Sequence, residues 1–326
     1  MVAFLIIRFS SIGDIVLTTP LIRCLKNQVD DARIHYLTKK QYVPVIASNP
    51  HIDKIHVLED SLGEIISRLR KENIDYIIDL HKNIRSSIVK IRLKRMSFSF
   101  NKINLQKWLI VNFRINRLPD AHIVDRYLET VRLFDVRNDE LGIDYFIPPE
   151  EEVKTTSLPE GFSDGYVALV VGAGHATKQL PLEKLQELCD LLDRPVLLLG
   201  GPEDRPLAES IKSNTSSVIY NACGEYTINQ SASLIRQSRL VISPDTGLMH
   251  IAAAFKKKII SVWGNTIPQL GMYPYRPDPQ STIFEIQGLR CRPCSKIGYS
   301  KCPKKHFRCM NEQNMKEIAQ KAKAIF

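Results

Sequence analysis

VAFLIIRFSSIGDIVLTTPLIRCL, residues 2–25, decides how this chain folds. The apolar run Ala3–Ile7 predicts a strand, and Ile15–Leu25 predicts a helix after a polar turn. The same order repeats outward. Ile34–Leu37 and Tyr76–Leu80 read as strands, Leu62–Leu69 as a helix, and Ile123–Phe134 has apolar residues at helical spacing. The polar, proline-containing stretch Pro148–Gly161 reads as a linker. Beyond it, strands are expected at Val167–Val171, Val196–Leu199, Val218–Tyr220, Leu240–Ser243 and Ile259–Val262. Helices are expected at Leu182–Leu192, Arg205–Lys212, Ile228–Arg236 and Leu248–Phe255. Apolar strands alternating with helices imply parallel sheets covered on both faces. The expected fold is α/β: two doubly wound domains, residues 1–150 and 151–326, facing a central cleft.

Composition narrows the class. The chain has 326 residues, 44% apolar and 25% charged, which excludes a disordered tail, a collagen-like repeat and a disulfide miniprotein. No stretch approaches the roughly 18 apolar residues of a membrane span. Val2–Ile7 is too short for a signal-peptide core, and Arg8 and Asp14 follow it. The chain reads as cytosolic, and an odd count of seven cysteines fits a reducing compartment.

The net charge is +10. From Leu80 to Pro119 there is no acidic residue and there are ten basic ones, so this stretch accounts for the whole excess. Phe98, Phe100, Trp108 and Phe113 are interleaved with it. Such a segment attracts phosphate on nucleic acid, lipid or glycan, and the plainer reading is a solvated basic face.

Three turns carry chemistry. Arg8-Phe9-Ser10-Ser11-Ile12-Gly13-Asp14 follows the first strand. Gly13 permits a backbone conformation that other residues resist. Asp14 either caps the next helix or accepts a proton from a substrate hydroxyl. The dinucleotide fingerprint G-x-G-x-x-G is missing here. Ser243-Pro244-Asp245-Thr246-Gly247-Leu248-Met249-His250 joins a strand to a helix whose free N–H groups suit a phosphate. There Asp245 can accept from sugar hydroxyls, Thr246 can donate to a phosphate, and His250 lies one turn on. The alternative is a helix cap with a buried histidine. The third turn, Val171–Pro181, is Gly-rich and carries Lys178, a charge that can neutralise a diphosphate.

These motifs, with Asp79-Leu80-His81-Lys82-Asn83-Ile84-Arg85-Ser86, Leu199–Glu203 and Cys291-Arg292-Pro293-Cys294, resemble glycosyltransferase family 9, the bacterial lipopolysaccharide heptosyltransferases. They occur in the family's order along almost the whole chain. The resemblance implies GT-B architecture: two Rossmann-like domains, the N-terminal one binding the acceptor and the C-terminal one the nucleotide sugar. It implies inverting transfer of a heptose from ADP-heptose to a phosphorylated, lipid-linked inner-core acceptor, without a catalytic metal. Asp14 is then the general base. Lys178, Asp245, Thr246, Gly247 and His250 hold the donor. Ser10, Ser11, Gly13, Lys82 and Arg85 fall on the acceptor side. The basic segment would meet inner-core phosphates or the anionic inner face of the inner membrane, with the protein peripheral and monomeric. Two departures lie on the donor side: Gln179-Leu180 where the family often has x-Trp before Pro181, and Asn265 where proline is common.

Cys291-x2-Cys294-x7-Cys302-x6-Cys309 would suit a structural zinc, a reduced cluster or a disulfide. Three other classes compete: a nucleic-acid binder using the basic stretch, a sugar epimerase, and a non-catalytic sugar-nucleotide binder. The first leaves the donor-side motifs without a purpose, so nucleic acid is not an expected partner. The third is disfavoured because Asp14 is retained.

Overall fold

A computed structural model describes residues 1–59 and 61–326. It divides into two compact units, Met1–Ile103 with Ala121–Phe146, and Asn104–Asp120 with Ile147–Phe326. The last crossing therefore falls at Ile147, against the residue 151 expected from the linker's composition. The segment 104–120 belongs to the second unit, which no local pattern announces.

The first unit holds five strands: β1 (Val2–Ile7), β2 (Ala32–Lys39), β3 (Lys54–Leu58), β4 (Tyr76–Asp79) and β5 (Met96–Ser99). All pair in parallel, in the order β3-β2-β1-β4-β5. β1 is central, and Phe4 through Ile7 are fully buried because helices cover both faces. The strand order reverses between β1 and β4. Chains leaving those two strands diverge to opposite faces and open a crevice at their carboxyl ends.

The second unit holds β6 (Val167–Val170), β7 (Val196–Leu199), β8 (Ile219–Asn221), β9 (Leu240–Pro244), β10 (Ile259–Trp263) and β11 (Thr282–Glu285). The order is β11-β10-β9-β6-β7-β8, again all parallel. Its reversal lies between β6 and β9. One core cluster joins Val167, Leu169, Leu198 and Ile242 of the sheet to Leu188 and Ile318 of its helices. Each such buried side chain stabilises the unit by roughly 1.5–3 kcal/mol.

Two expectations are corrected. The single helix Ile15–Leu25 is two helices, Ile12–Val16 and Thr19–Gln28. Pro20 lacks the N–H that would bond the Val16 carbonyl. The Thr19 hydroxyl takes that carbonyl instead at 2.8 Å, and Thr18 bonds Ile15 O at 2.7 Å. β3, β5 and β11 escaped the sequence reading. All three are sheet edges, where polar residues such as Lys54 and Ser97 interrupt the apolar run.

Candidate functional site

Each unit carries an ion pair at its strand-order reversal that involves an expected site residue. In the first unit, Arg8 closes β1 and its guanidinium turns inward. Nε donates to Ser10 O at 2.7 Å, and Nη1 donates to Leu80 O, the residue following β4. The remaining arm, Nη2, meets Asp14 Oδ1 at 2.7 Å. Arg8 thus ties together the two loops that flank the crevice. A lysine, with one point charge, could not hold three such partners at fixed angles.

Asp14 caps its helix, the first of the two readings the sequence left open. Its Oδ2 accepts from the Ser11 N–H at 3.1 Å and the Ser11 hydroxyl at 2.8 Å, which is a helix-capping arrangement. Its Oδ1 faces Arg8, and the side chain stays 20% exposed. Burial alone would push this carboxyl up. Arg8 and the Ser11 hydrogen bonds outweigh it and hold the group below the ordinary carboxylate value. Asp14 is therefore ionised at neutral pH. Gly13 lies buried within the short helix and does not adopt a positive φ, so its expected conformational freedom is not used.

The β4 loop is organised by the fully buried Asp79. Its Oδ1 accepts from the N–H groups of His81 (3.0 Å) and Lys82 (2.6 Å). Its Oδ2 meets the Ser86 hydroxyl and Lys90 Nζ, each at 2.9 Å. His81 packs against Phe9, with ring centroids 4.9 Å apart. Burial, then the charges of Arg8 and Lys102, hold it down to about 4, so it is neutral at pH 7. Lys82 and Arg85 are exposed, and Arg85 shares an open depression with Lys39 and Lys40.

In the second unit the loops after β6 and β9 meet. Lys178 Nζ lies 2.6 Å from Asp245 Oδ2, and Thr266 Oγ1 donates to the same oxygen at 3.0 Å. Thr246 caps the helix Gly247–Ala254, its hydroxyl accepting from Met249 N at 3.4 Å. Gly247 opens that helix with no positive φ, and His250 is buried within it. The five expected donor residues thus share one corner of this unit.

Arg292 is a site-supporting residue that sequence reading passed over. It pairs with Glu285 at 2.8 Å and donates to the carbonyls of Gly264 (2.5 Å) and Thr266 (2.8 Å). It was legible only as part of the cysteine motif. For Arg8, the one signal in the sequence is a charged residue directly after an apolar strand.

Cys291, Cys294 and Cys302 lie close enough to act on one another, with a hydrogen bond between Cys291 and Cys294. Cys309 feels all three while packed in the apolar core cluster beside Met310 and Ile318. Cys291 Sγ also stands 3.8 Å from His306 Nε2. Among the described residues, the His, Cys, Asp or Glu set whose ligand atoms lie within 4.8 Å of one another is His35, His56 and Glu72. There His35 Nδ1 and His56 Nε2 are 2.9 Å apart, a neutral hydrogen-bonded pair. Lys54 Nζ sits on Glu72 at 2.5 Å.

The basic segment is divided between the units after Ile103. Lys90 is used internally on Asp79, and Arg114 binds the carbonyls of Arg290, Cys291 and Pro293. On the helix Ile84–Leu93, Ile84 and Ile91 are 80% and 73% exposed, one heptad apart and beside Arg85 and Arg92. No helix among the described residues is long and apolar enough to cross a membrane.

A sugar-transfer fold and site of this kind agree with what the chain is similar to. The family model for glycosyltransferase family 9 (heptosyltransferase) matches residues 62–303. The chain belongs to that family and is a glycosyltransferase. Lipooligosaccharide heptosyltransferase 2 of Haemophilus influenzae is 26% identical over 314 residues, covering 87% of this chain and 89% of that protein. Lipopolysaccharide heptosyltransferase 1 of Campylobacter coli is 24% identical over 285 residues, covering 80% and 83%. The structure of Escherichia coli ADP-heptose lps heptosyltransferase II matches with a TM-score of 0.77 at 18% identity, covering 99% of this chain and 98% of that one. The two sheets are accordingly the Rossmann-like domains of a GT-B fold.

Proposed function

We propose that this enzyme transfers a heptose from ADP-heptose to the inner core of lipopolysaccharide, with inversion and without a catalytic metal. The observation that carries the reading is Asp14: an ionised, partly exposed carboxylate at the β1–β4 crevice of a family 9 chain. Transfer needs a base for the acceptor hydroxyl and positive charge for the departing diphosphate. The first unit supplies the base and receives the acceptor. The second supplies the charge and receives the donor.

The acceptor oxygen bonds to the anomeric carbon from the face opposite the leaving group. The bond from that carbon to the diphosphate oxygen breaks, and the hydroxyl proton passes to an Asp14 oxygen. General-base assistance of this kind contributes about 10²–10⁴-fold. Lys178 and the N–H groups at the start of the helix Gly247–Ala254 stabilise the charge on ADP, in the place a metal often fills. Asp245 and Thr246 orient the sugar and diphosphate, with His250 behind them. Ser10, Ser11 and Gly13 frame the base. Lys82, Arg85 and the neighbouring Lys39 and Lys40 suit phosphates on the acceptor.

The exposed Ile84 and Ile91 beside Arg85 and Arg92 support docking on an anionic membrane. We take the protein as a monomer, peripheral at the cytoplasmic face of the inner membrane. A structural zinc on the cysteine loop has no part in this mechanism.

The test is ADP release with lipid A–core acceptors, comparing ADP-heptose with ADP- and UDP-hexoses. The reading expects acceptor-dependent release with ADP-heptose alone. Turnover only with another nucleotide sugar would replace the donor, and no transfer from any donor would overturn the reading.

A further inference from the structure

We propose that Asn265 is a specificity residue for the donor sugar, its carboxamide binding hydroxyl groups of the sugar on the nucleotide. This rests on the reading that the Lys178–Asp245 corner holds the donor. Asn265 is 1% exposed, yet neither Oδ1 nor Nδ2 has a hydrogen-bond partner. Among the described residues it is the one side chain with two such orphaned atoms. A buried amide left bare at both ends is destabilising, and native interiors rarely retain one without a reason. A carboxamide offers two N–H donors and two acceptor lone pairs, a set that matches hydroxyl groups which both give and accept.

The location selects the ligand. Asn265 follows β10, at the carboxyl end of the sheet where ligands bind in such folds. Its neighbour Thr266 donates to Asp245 Oδ2 at 3.0 Å, the oxygen that holds Lys178. Its other neighbour, Gly264, is packed so closely that a Cβ there would lie 2.8 Å from Thr177 O, one residue from Lys178. Asn265 thus stands between a contact to Asp245 and one to the residue before Lys178.

The position is also rigid. Arg292 holds the carbonyls on either side, at Gly264 and Thr266, and the Asn265 carbonyl accepts from Cys294 N at 3.2 Å. With the backbone fixed at three successive residues, the orphaned amide cannot turn away to find partners. It is preorganised for a ligand that brings them.

The experiment measures Kd by calorimetry for ADP-heptose and for ADP, with wild type and Asn265→Ala, alongside ligand-free melting. The expected result is ADP-heptose binding weakened about tenfold or more, the range for a buried group stripped of its partner. ADP binding should stay within about twofold, and ligand-free melting should be unchanged or higher, since the orphaned group is gone. Should Asn265→Ala fail to fold, Asn265→Leu keeps the volume and carries the same expectation. Equal losses for ADP and ADP-heptose would move the contact to the nucleotide and overturn the proposal. So would unchanged ADP-heptose binding, which would mean the amide is satisfied by water. Wild type binding ADP-heptose no better than ADP would sink the donor reading itself, a different result from either.

Discussion

The Arg8–Asp14 and Lys178–Asp245 pairs are the same kind of contact, 2.7 and 2.6 Å long, each at the reversal of a parallel sheet. They differ in how the partners are held. Arg8 is pinned by two backbone carbonyls, and Asp14, held in turn by Ser11, is the more exposed end. In the other pair Asp245 is pinned by Thr266, and Lys178 is the end on a flexible stem. One unit thus presents a carboxylate held by a fixed cation, and the other a cation held by a fixed carboxylate. The proposed transfer rests on that difference, with a base for the incoming hydroxyl in one unit and a charge for the outgoing diphosphate in the other.

The cost of the first arrangement is basicity. Arg8 keeps Asp14 ionised but lowers its affinity for a proton. Proton transfer to such a base is favourable only once the acceptor oxygen has become acidic, late in bond formation.

The contrast can be broken from either side. Lys178→Met should give the larger effect among its supports. Losing a charged contact to the diphosphate is worth about 1.5–3 kcal/mol, so kcat/KM should fall about 10–150-fold. Donor Kd should rise while acceptor KM holds, as steady-state kinetics with both substrates would reveal. Equal losses for donor and acceptor would place Lys178 outside the donor role.

Arg8→Lys should cost less in rate but shift the pH profile. Asp14 acts ionised, so activity is present above its pKa and lost as pH falls through it. A weaker partner raises that pKa toward the ordinary value, moving the acid limb of kcat/KM upward. An unmoved limb would show that Arg8 does not set the charge of Asp14.

The smallest effect belongs to the surface. Reversing Arg85 and Arg92 to Glu should weaken binding to anionic vesicles by about 1 kcal/mol for each charge removed near the membrane, and more on reversal. ADP binding should not move. Vesicle binding equal to wild type would remove the helix Ile84–Leu93 from the membrane contact.

How much of this was written in the sequence follows from how locally each feature is encoded. The central strands β1, β6 and β9 are apolar runs buried on both faces, and they stood out. The edge strands β3 and β5 carry Lys54, His56 and Ser97 and did not. Asp14, Lys178 and Asp245 were legible because each follows such a run within a short turn. Their partners were not. Arg8 reaching Leu80 O spans 72 residues, and Arg292 reaching Gly264 spans 28. The basic stretch Leu80–Pro119 looked like one field, but the chain passes from one unit to the other at Asn104. The cysteine spacing left a zinc, a reduced cluster and a disulfide open, and it did not show that Cys309, a small apolar side chain on the helix Arg308–Asn311, also packs into the core.

The measurement closest to the central claim is single-turnover transfer by Asp14→Asn from a preformed donor complex. Asparagine keeps the shape and the Ser11 contacts but has no charge for a proton. The account predicts transfer slowed about 10²–10⁴-fold with ADP-heptose Kd unchanged. Transfer within a few-fold of wild type, with the donor bound as tightly, would contradict Asp14 as the base.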